Sequence, residues 1–158
     1  MILEIIFVLM VFGLLVNNID YKILKNHHFK KQKWGLNISC GVMDGGGINA
    51  DITPRDVPNF VLIKDIYKLP FKNKQFKNVI CSHTMEHVEN PDRFFKELAR
   101  VSRNVVLLVP PLWDFGCFLN FKEHKWQFVT LKTRFVNELP ARIKLPYWQY
   151  QEKFGQKL

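Results

Sequence analysis

Apolar and polar positions fall into three regimes along this chain. Residues 1–16 are apolar except for Glu4 and Gly13, and a lysine-rich polar stretch follows to residue 33. From residue 36 onward, short apolar runs alternate with turn formers. The runs lie at 36–39, 48–52, 60–64, 78–82 and 105–109, and the later ones are rich in Val and Ile. Each is too short for a stable helix, and bounded runs of this kind predict buried strands. The bounding residues are Gly45-Gly46-Gly47, Thr53-Pro54, Asp65 and Pro110-Pro111. Leu69-Pro70-Phe71 predicts an extended turn, because a residue before proline avoids the helical region.

One segment carries the helical period. Phe94, Phe95, Leu98 and Val101 share a face, while Arg93, Lys96, Glu97 and Arg100 cover much of the rest. Asn90-Pro91 supplies a cap and a proline for the first turn, and the helix should end near Arg103-Asn104. Beyond Pro111 the pattern weakens. It predicts a helix over 128–139 and an extended piece over 143–150.

The order of four strands, a helix and a strand predicts an α/β domain with a largely parallel sheet. The first link is abnormal. Only eight residues, 40–47, separate the first two strands, whereas a parallel crossover usually needs about a dozen or more. The first crossover helix is therefore missing or reduced to a turn. A chain of 158 residues, 47% hydrophobic, suits one packed domain. The expected division is an N-terminal hydrophobic helix at 1–18, a basic linker at 19–33 and the domain at 34–158.

Net charge sharpens the reading of the N-terminal part. The chain carries +9 at pH 7, with Lys22, Lys25, Lys30, Lys31 and Lys33 crowded against a single acid, Asp20. A second basic region runs from 122 to 157 among aromatics. Such a balance suits nucleic acid, an anionic membrane surface or an acidic substrate. No recognised nucleic-acid motif accompanies it. Sixteen helical residues reach roughly 24 Å, a little short of a hydrocarbon core of about 30 Å, and residues 17–19 could extend the helix into the interface. Three readings compete. A single membrane anchor fits best, with the lysines and the domain cytoplasmic. An interfacial or buried helix is the second. A cleaved signal peptide is the third, and Glu4 and Asn17-Asn18 suit it poorly. The three cysteines, Cys40, Cys81 and Cys117, show no CxxC spacing. Neither a disulfide framework nor a zinc or other metal site is indicated, and buried thiols in a reducing compartment are expected.

In an open parallel sheet, ligands bind outside the carboxyl ends of the strands. Four strand ends here carry suitable residues. The first gives Ser39-Cys40-Gly41, where small residues let backbone approach a ligand. The second gives Asp51, a carboxylate suited to both hydroxyls of a ribose. The third gives Asp65, able to accept an adenine amino hydrogen, and the fourth gives Ser82-His83. Each alone is more often a turn, a cap or a solvated side chain. Their joint placement on one sheet edge is what points to a nucleotide-type ligand.

An ordered set of motifs connects these residues. Asp65, Leu69-Pro70-Phe71, Phe76-Lys77-Asn78-Val79, His83-Thr84-Met85-Glu86-His87 and Glu97-Leu98-Ala99-Arg100-Val101 follow one another, and Glu123-His124 precedes Phe128-Val129-Thr130. Over residues 36–130 the chain resembles the S-adenosylmethionine-dependent methyltransferases of the Rossmann-like class, the methyltransferase type 11 group. The resemblance implies a Rossmann-like, mostly parallel sheet, S-adenosylmethionine as cofactor, and cofactor contacts from Ser39, Cys40, Gly41, Asp51, Asp65, Ile66, Ser82 and His83. The glycine motif departs from the usual pattern at Asn37, Ser39 and Met43. A subgroup with a compact start is similar to residues 36–51, and there the short first link is normal. Lys77 stands where the family commonly has Asp.

The implied chemistry is in-line attack by an acceptor on the sulfonium methyl. The cofactor is already activated, so the protein supplies proximity and orientation. His83 and His87 are the nearest candidates for a base, should the nucleophile need to lose a proton. The expected function is methyl transfer to a small molecule, lipid precursor or glycan at a membrane. Ser39 and Lys77 keep open a catalytically degenerate binding module, and the charge keeps open a nucleic-acid modifier.

Overall fold

The computed structural model describes residues 25–114 and 122–146, with positions 4, 7, 8, 11–13, 15, 23, 117 and 120. Most of the stretch read as a membrane anchor, and the end of the extended piece at 147–150, lie outside the described residues. Among the described residues no helix is long and apolar enough to cross a membrane.

The expected strands form and pair in parallel. They are β1 (Leu36–Ile38), β2 (Ile48–Asp51), β3 (Phe60–Leu62), β4 (Phe76–Ser82) and β5 (Ser102–Leu108). The later strand β7 (Arg134–Val136) runs antiparallel against β5 and closes that edge, giving the order β3-β2-β1-β4-β5-β7. Connections leave β1 in one direction toward β2 and β3, and in the other toward β4 and β5. The strand order therefore reverses at β1/β4, the place where open sheets of this Rossmann-like kind bind ligands.

The two faces of the sheet are covered unequally. Side chains alternate along a strand, so Val79 and Cys81 of β4 join Val105 and Leu107 of β5 in the main core. Helix α2 (Pro91–Val101) covers that side with Phe94, Leu98 and Val101. Its cap is the expected one: the Asn90 side chain accepts the Arg93 N–H at 3.0 Å. The opposite side chains, Ile80, Val106 and Leu108, pack on Phe29 and Trp34. Phe29 belongs to a short helix α1 (Lys25–Lys30). The stretch read as a basic linker thus contains a helix that covers part of the second face.

Polar side chains replace the missing first crossover helix. Asn37 and Asn49 sit opposite each other in the β1–β2 register. The Asn37 amide donates to Met43 O at 2.8 Å and to Asn49 Oδ1 at 3.0 Å. Asn49 Oδ1 also accepts the Gly45 N–H, and its amide donates to Asp44 Oδ1 and Pro58 O. An aspartate at 37 would have no hydrogen to give either acceptor, so the departure at Asn37 belongs to the compact link. Gly47 completes it: a Cβ there would lie 2.3 Å from Trp34 O, which backbone cannot yield.

The Leu-Pro-Phe turn and the Glu-Leu-Ala-Arg-Val stretch touch each other. Arg100 donates to Leu69 O, Phe71 O and both Glu97 carboxylate oxygens, and Glu97 accepts the Leu69 N–H at 2.7 Å. Charged, bidentate hydrogen bonds of this sort hold geometry well. They fix the link that carries the chain from β3 to β4.

The helix expected over 128–139 is corrected. Residues 126–128 form β6 (Trp126–Phe128), which pairs with β8 (Arg142–Lys144) in a separate two-stranded sheet, and 134–136 form β7. The spacing of Phe128, Leu131, Phe135 and Leu139 imitates a helical stripe. The free edge of β5 decides otherwise: its backbone groups pair with Phe135 and its neighbours, burying Phe135 and exposing Arg134 and Val136. The segment before β6 docks on the loop after β4, where Lys125 N–H and Trp126 N–H both donate to Glu86 O.

Candidate functional site

Two clefts meet at the carboxyl ends of β1, β2 and β4. The first, about 240 Å³, is lined by Ser39, Gly41, Asp51, Ile66 and His83, with His87 and Glu123 on its far side. The second, about 420 Å³, lies between α1 and the loop after β1, against Lys25, Cys40, Ser82 and His83. Ser39, Gly41 and His83 line both, so the clefts form one continuous groove. Together they reach the usual range of about 300–1,000 Å³ for small-molecule sites.

The backbone around the groove is bent to expose it. Ser39, Gly41 and His83 have φ of 54°, 54° and 50°. Glycine takes this left-handed conformation freely and other residues at a cost. A Cβ at Gly41 would meet nothing within 4 Å, so it would occupy the open space itself. Asp51 holds the neighbouring turns together. One oxygen accepts the Gly41 N–H and the other the Thr53 N–H, both at 3.0 Å, and Arg55 lies 3.5 Å away. The carboxylate is buried yet reaches the groove. This cradle fits a nucleoside with hydroxyls to present to a fixed carboxylate.

Of the residues expected to contact a cofactor, Ser39, Cys40, Gly41, Asp51, Ile66, Ser82 and His83 line one or both clefts. Asp65 lines neither of them. It is exposed, and its carboxylate accepts the Tyr67 N–H at 2.7 Å. Cys40 contributes bulk rather than reactivity, since burial and then Asp51 push its thiol up to about 11. Lys77 lies near the start of β4, away from the strand's carboxyl end, and its side chain is exposed. It has no bearing on the groove.

His83 and His87 are uncharged at neutral pH. Burial, followed by Lys25, pushes His83 down to about 3; burial, followed by His124, pushes His87 down to about 4. Either can accept a proton, but only weakly. His83 Nδ1 lies 3.0 Å from Ser82 Oγ. Glu86, 1% exposed, is pushed up to about 8, chiefly by burial, and therefore carries its proton at pH 7. Sequence reasoning did not place Thr53, Arg55 or Glu123 on the groove, nor His124 against His87 beside it. For the last two, the Glu-His pair ahead of Phe128-Val129-Thr130 was a usable signal. Its position was hidden because the docking of 123–126 onto Glu86 depends on tertiary hydrogen bonds.

A family described as "Methyltransferase domain" matches residues 21–109. No curated protein gives a significant match. Among solved structures, the PH0226 protein from Pyrococcus horikoshii OT3 is 19% identical over 75% of this chain and 72% of that one, with a TM-score of 0.48. A SAM-dependent methyltransferase from Aquifex aeolicus is 18% identical over 59% and 65%, with a TM-score of 0.40. The YcgJ protein from Bacillus subtilis is 18% identical over 49% and 44%, with a TM-score of 0.41, so this chain spans less than half its length. The family match runs from the residues before α1 through β1, the asparagine-braced link, Asp51 and the Leu-Pro-Phe clamp to the last residue before Pro110, covering more than half of the sequence. The chain belongs to the methyltransferase domain family.

Proposed function

We propose that this chain is an S-adenosylmethionine-dependent methyltransferase acting on a small-molecule, lipid-precursor or glycan acceptor. The observation that carries the reading is the convergence of the Ser39–Gly41 turn, the Asp51 carboxylate and His83 on one groove at the β1/β4 switch point. Asp51 would hold the ribose hydroxyls, Ile66 would pack beside the adenine, and the Ser39–Gly41 backbone with Ser82 and His83 would border the methionine part. The cofactor, when bound, supplies an electrophilic methyl group. The residues here orient the acceptor and exclude water, which is where most of the acceleration of such a transfer arises. His83 and His87 are too weakly basic to deprotonate a poor acid, so the reading favours an acceptor whose attacking atom has a lone pair available at neutral pH.

A membrane-associated acceptor is part of the proposal. Phe7, Val8, Phe12 and Leu15 are exposed apolar residues, next to the lysine cluster. A lipid surface is the ordinary partner for such a combination.

The reading is tested by calorimetric titration of S-adenosylmethionine into the full chain. Micromolar binding is expected. Ser39→Gly should tighten it several-fold, because it removes a side chain from the lining of both clefts, and raise stability by about 1 kcal/mol, because a glycine relieves the left-handed φ of 54°. Both effects are read from the same titration and a thermal melt. A folded chain that shows no binding would leave the degenerate module, which the engagement of both Asp51 oxygens also suits.

A further inference from the structure

We propose that Glu86, His87 and His124 form a binding site for a divalent transition-metal ion on the wall of the groove. Three observations converge on it, none of which depends on the methyl-transfer reading. First, one ligand atom from each residue lies within 4.8 Å of the other two, and the His87 Nε2 to Glu86 Oε1 distance is 3.9 Å. A tetrahedral site with bonds of about 2.0–2.1 Å has ligands about 3.4 Å apart. Closing on an ion therefore takes side-chain movements of about 1 Å.

Second, both imidazoles are oriented from behind. His87 Nδ1 lies 3.2 Å from Glu123 O and His124 Nδ1 lies 2.9 Å from Cys117 O. A ring that donates Nδ1–H to a main-chain carbonyl keeps its Nε2 lone pair for a metal, and such carbonyls are the usual supports of ligating histidines. The rings stand edge to face with centroids 4.6 Å apart, which lets them address one point from different directions.

Third, Glu86 is a buried acid with an unfilled need. Its side chain is 1% exposed and Oε2 has no hydrogen-bond partner. Buried polar atoms are nearly always satisfied, and one that is not needs a reason. A cation in front of the carboxylate would provide it. The donor set selects the class of ion. Two imidazoles and one carboxylate suit zinc, cobalt, nickel or ferrous iron, whereas calcium and magnesium take oxygen-rich shells. His87 also lines the first cleft, so a remaining coordination position has a route to the groove. The ion would link the loop after β4 to the segment before β6, reinforcing the two hydrogen bonds that Glu86 O already accepts there.

The test uses the full chain, stripped with a chelator and dialysed. Cobalt(II) is titrated in and its visible d–d bands are recorded, followed by displacement with zinc. A saturable band from one ion per chain is expected. His87→Ala and His124→Ala should each weaken binding by more than about 100-fold, while the exposed His27→Ala binds as the unaltered chain does. Where an alanine variant does not fold, His124→Gln replaces it, and the readout becomes the zinc-induced rise in melting temperature, present in the unaltered chain and lost in the variant. A folded chain without a saturable band, or a band that survives both histidine substitutions, would overturn the site.

Discussion

Asp51→Ala should lower the affinity for S-adenosylmethionine by at least about 100-fold, which is about 2.7 kcal/mol. Two losses add. The first is direct: hydrogen bonds from neutral hydroxyls to a carboxylate contribute about 1.5–3 kcal/mol each, and a ribose offers two. The second runs through the protein. Asp51 is the acceptor for the Gly41 and Thr53 N–H groups. Without it the turn that borders the groove loses its anchor to β2, and the melting temperature falls as well. Asp51→Asn separates the two losses. An asparagine keeps one acceptor oxygen, but its amide must face one of the two N–H donors, so it should retain fold stability better than binding. Calorimetry on both variants, each checked by a thermal melt, decides the matter. An alanine variant that binds as tightly as the unaltered chain would remove Asp51 from the cofactor site and leave it a purely structural brace.

Much of this arrangement could be read from the residues because it depends on local pattern. The runs of Val and Ile became strands, since burial on both faces of a parallel sheet demands near-continuous apolar stretches. Asn90-Pro91 started the helix as a cap and a first-turn proline should. The Leu-Pro-Phe and Glu-Leu-Ala-Arg-Val stretches were legible as a pair of motifs, and their hydrogen bonds supply the physical reason for the pairing. What stayed hidden depends on distant partners. Asn37 looked like a lost acid until Asn49 and Met43 O stood beside it. Lys77 looked like a defect until its place near the far end of β4 was known. The segment over 128–139 has a helical spacing that the open edge of β5 overrode. His124 belonged to a recognised pair of residues, but the bonds from 125 and 126 to Glu86 O are what bring it beside His87.

The fold should lose stability as pH rises from 6.5 to about 8, and Glu86→Gln should abolish that loss. Burial holds the Glu86 carboxyl at about 8 rather than its ordinary 4.5, with Asp114 adding to the rise and Lys25 opposing it. An acid with a raised value in the folded state keeps its proton there while the unfolded chain releases it. Its contribution therefore weakens from pH 4.5 to about 8, by roughly 3–5 kcal/mol in all, and is flat beyond. His83 and His87 act with the opposite sign. Held at about 3 and about 4, they stay neutral in the fold while the unfolded chain takes up protons below 6.5, so they cost stability as pH falls from 6.5. Between 4.5 and 6.5 the two histidines outweigh the one acid, and above 6.5 the acid acts alone. Stability should accordingly peak near pH 6.5. Urea unfolding at pH 5, 6.5 and 8, with a chelator present so that no divalent ion competes for the carboxylate, reads this directly. Relative to the unaltered chain, Glu86→Gln should gain several kcal/mol on going from pH 5 to pH 8, while its acid limb keeps the same slope below pH 4.5. Parallel profiles for the two proteins would mean that the Glu86 carboxyl ionises at its ordinary value inside the fold, and the buried, proton-holding acid beside His87 would have to be given up.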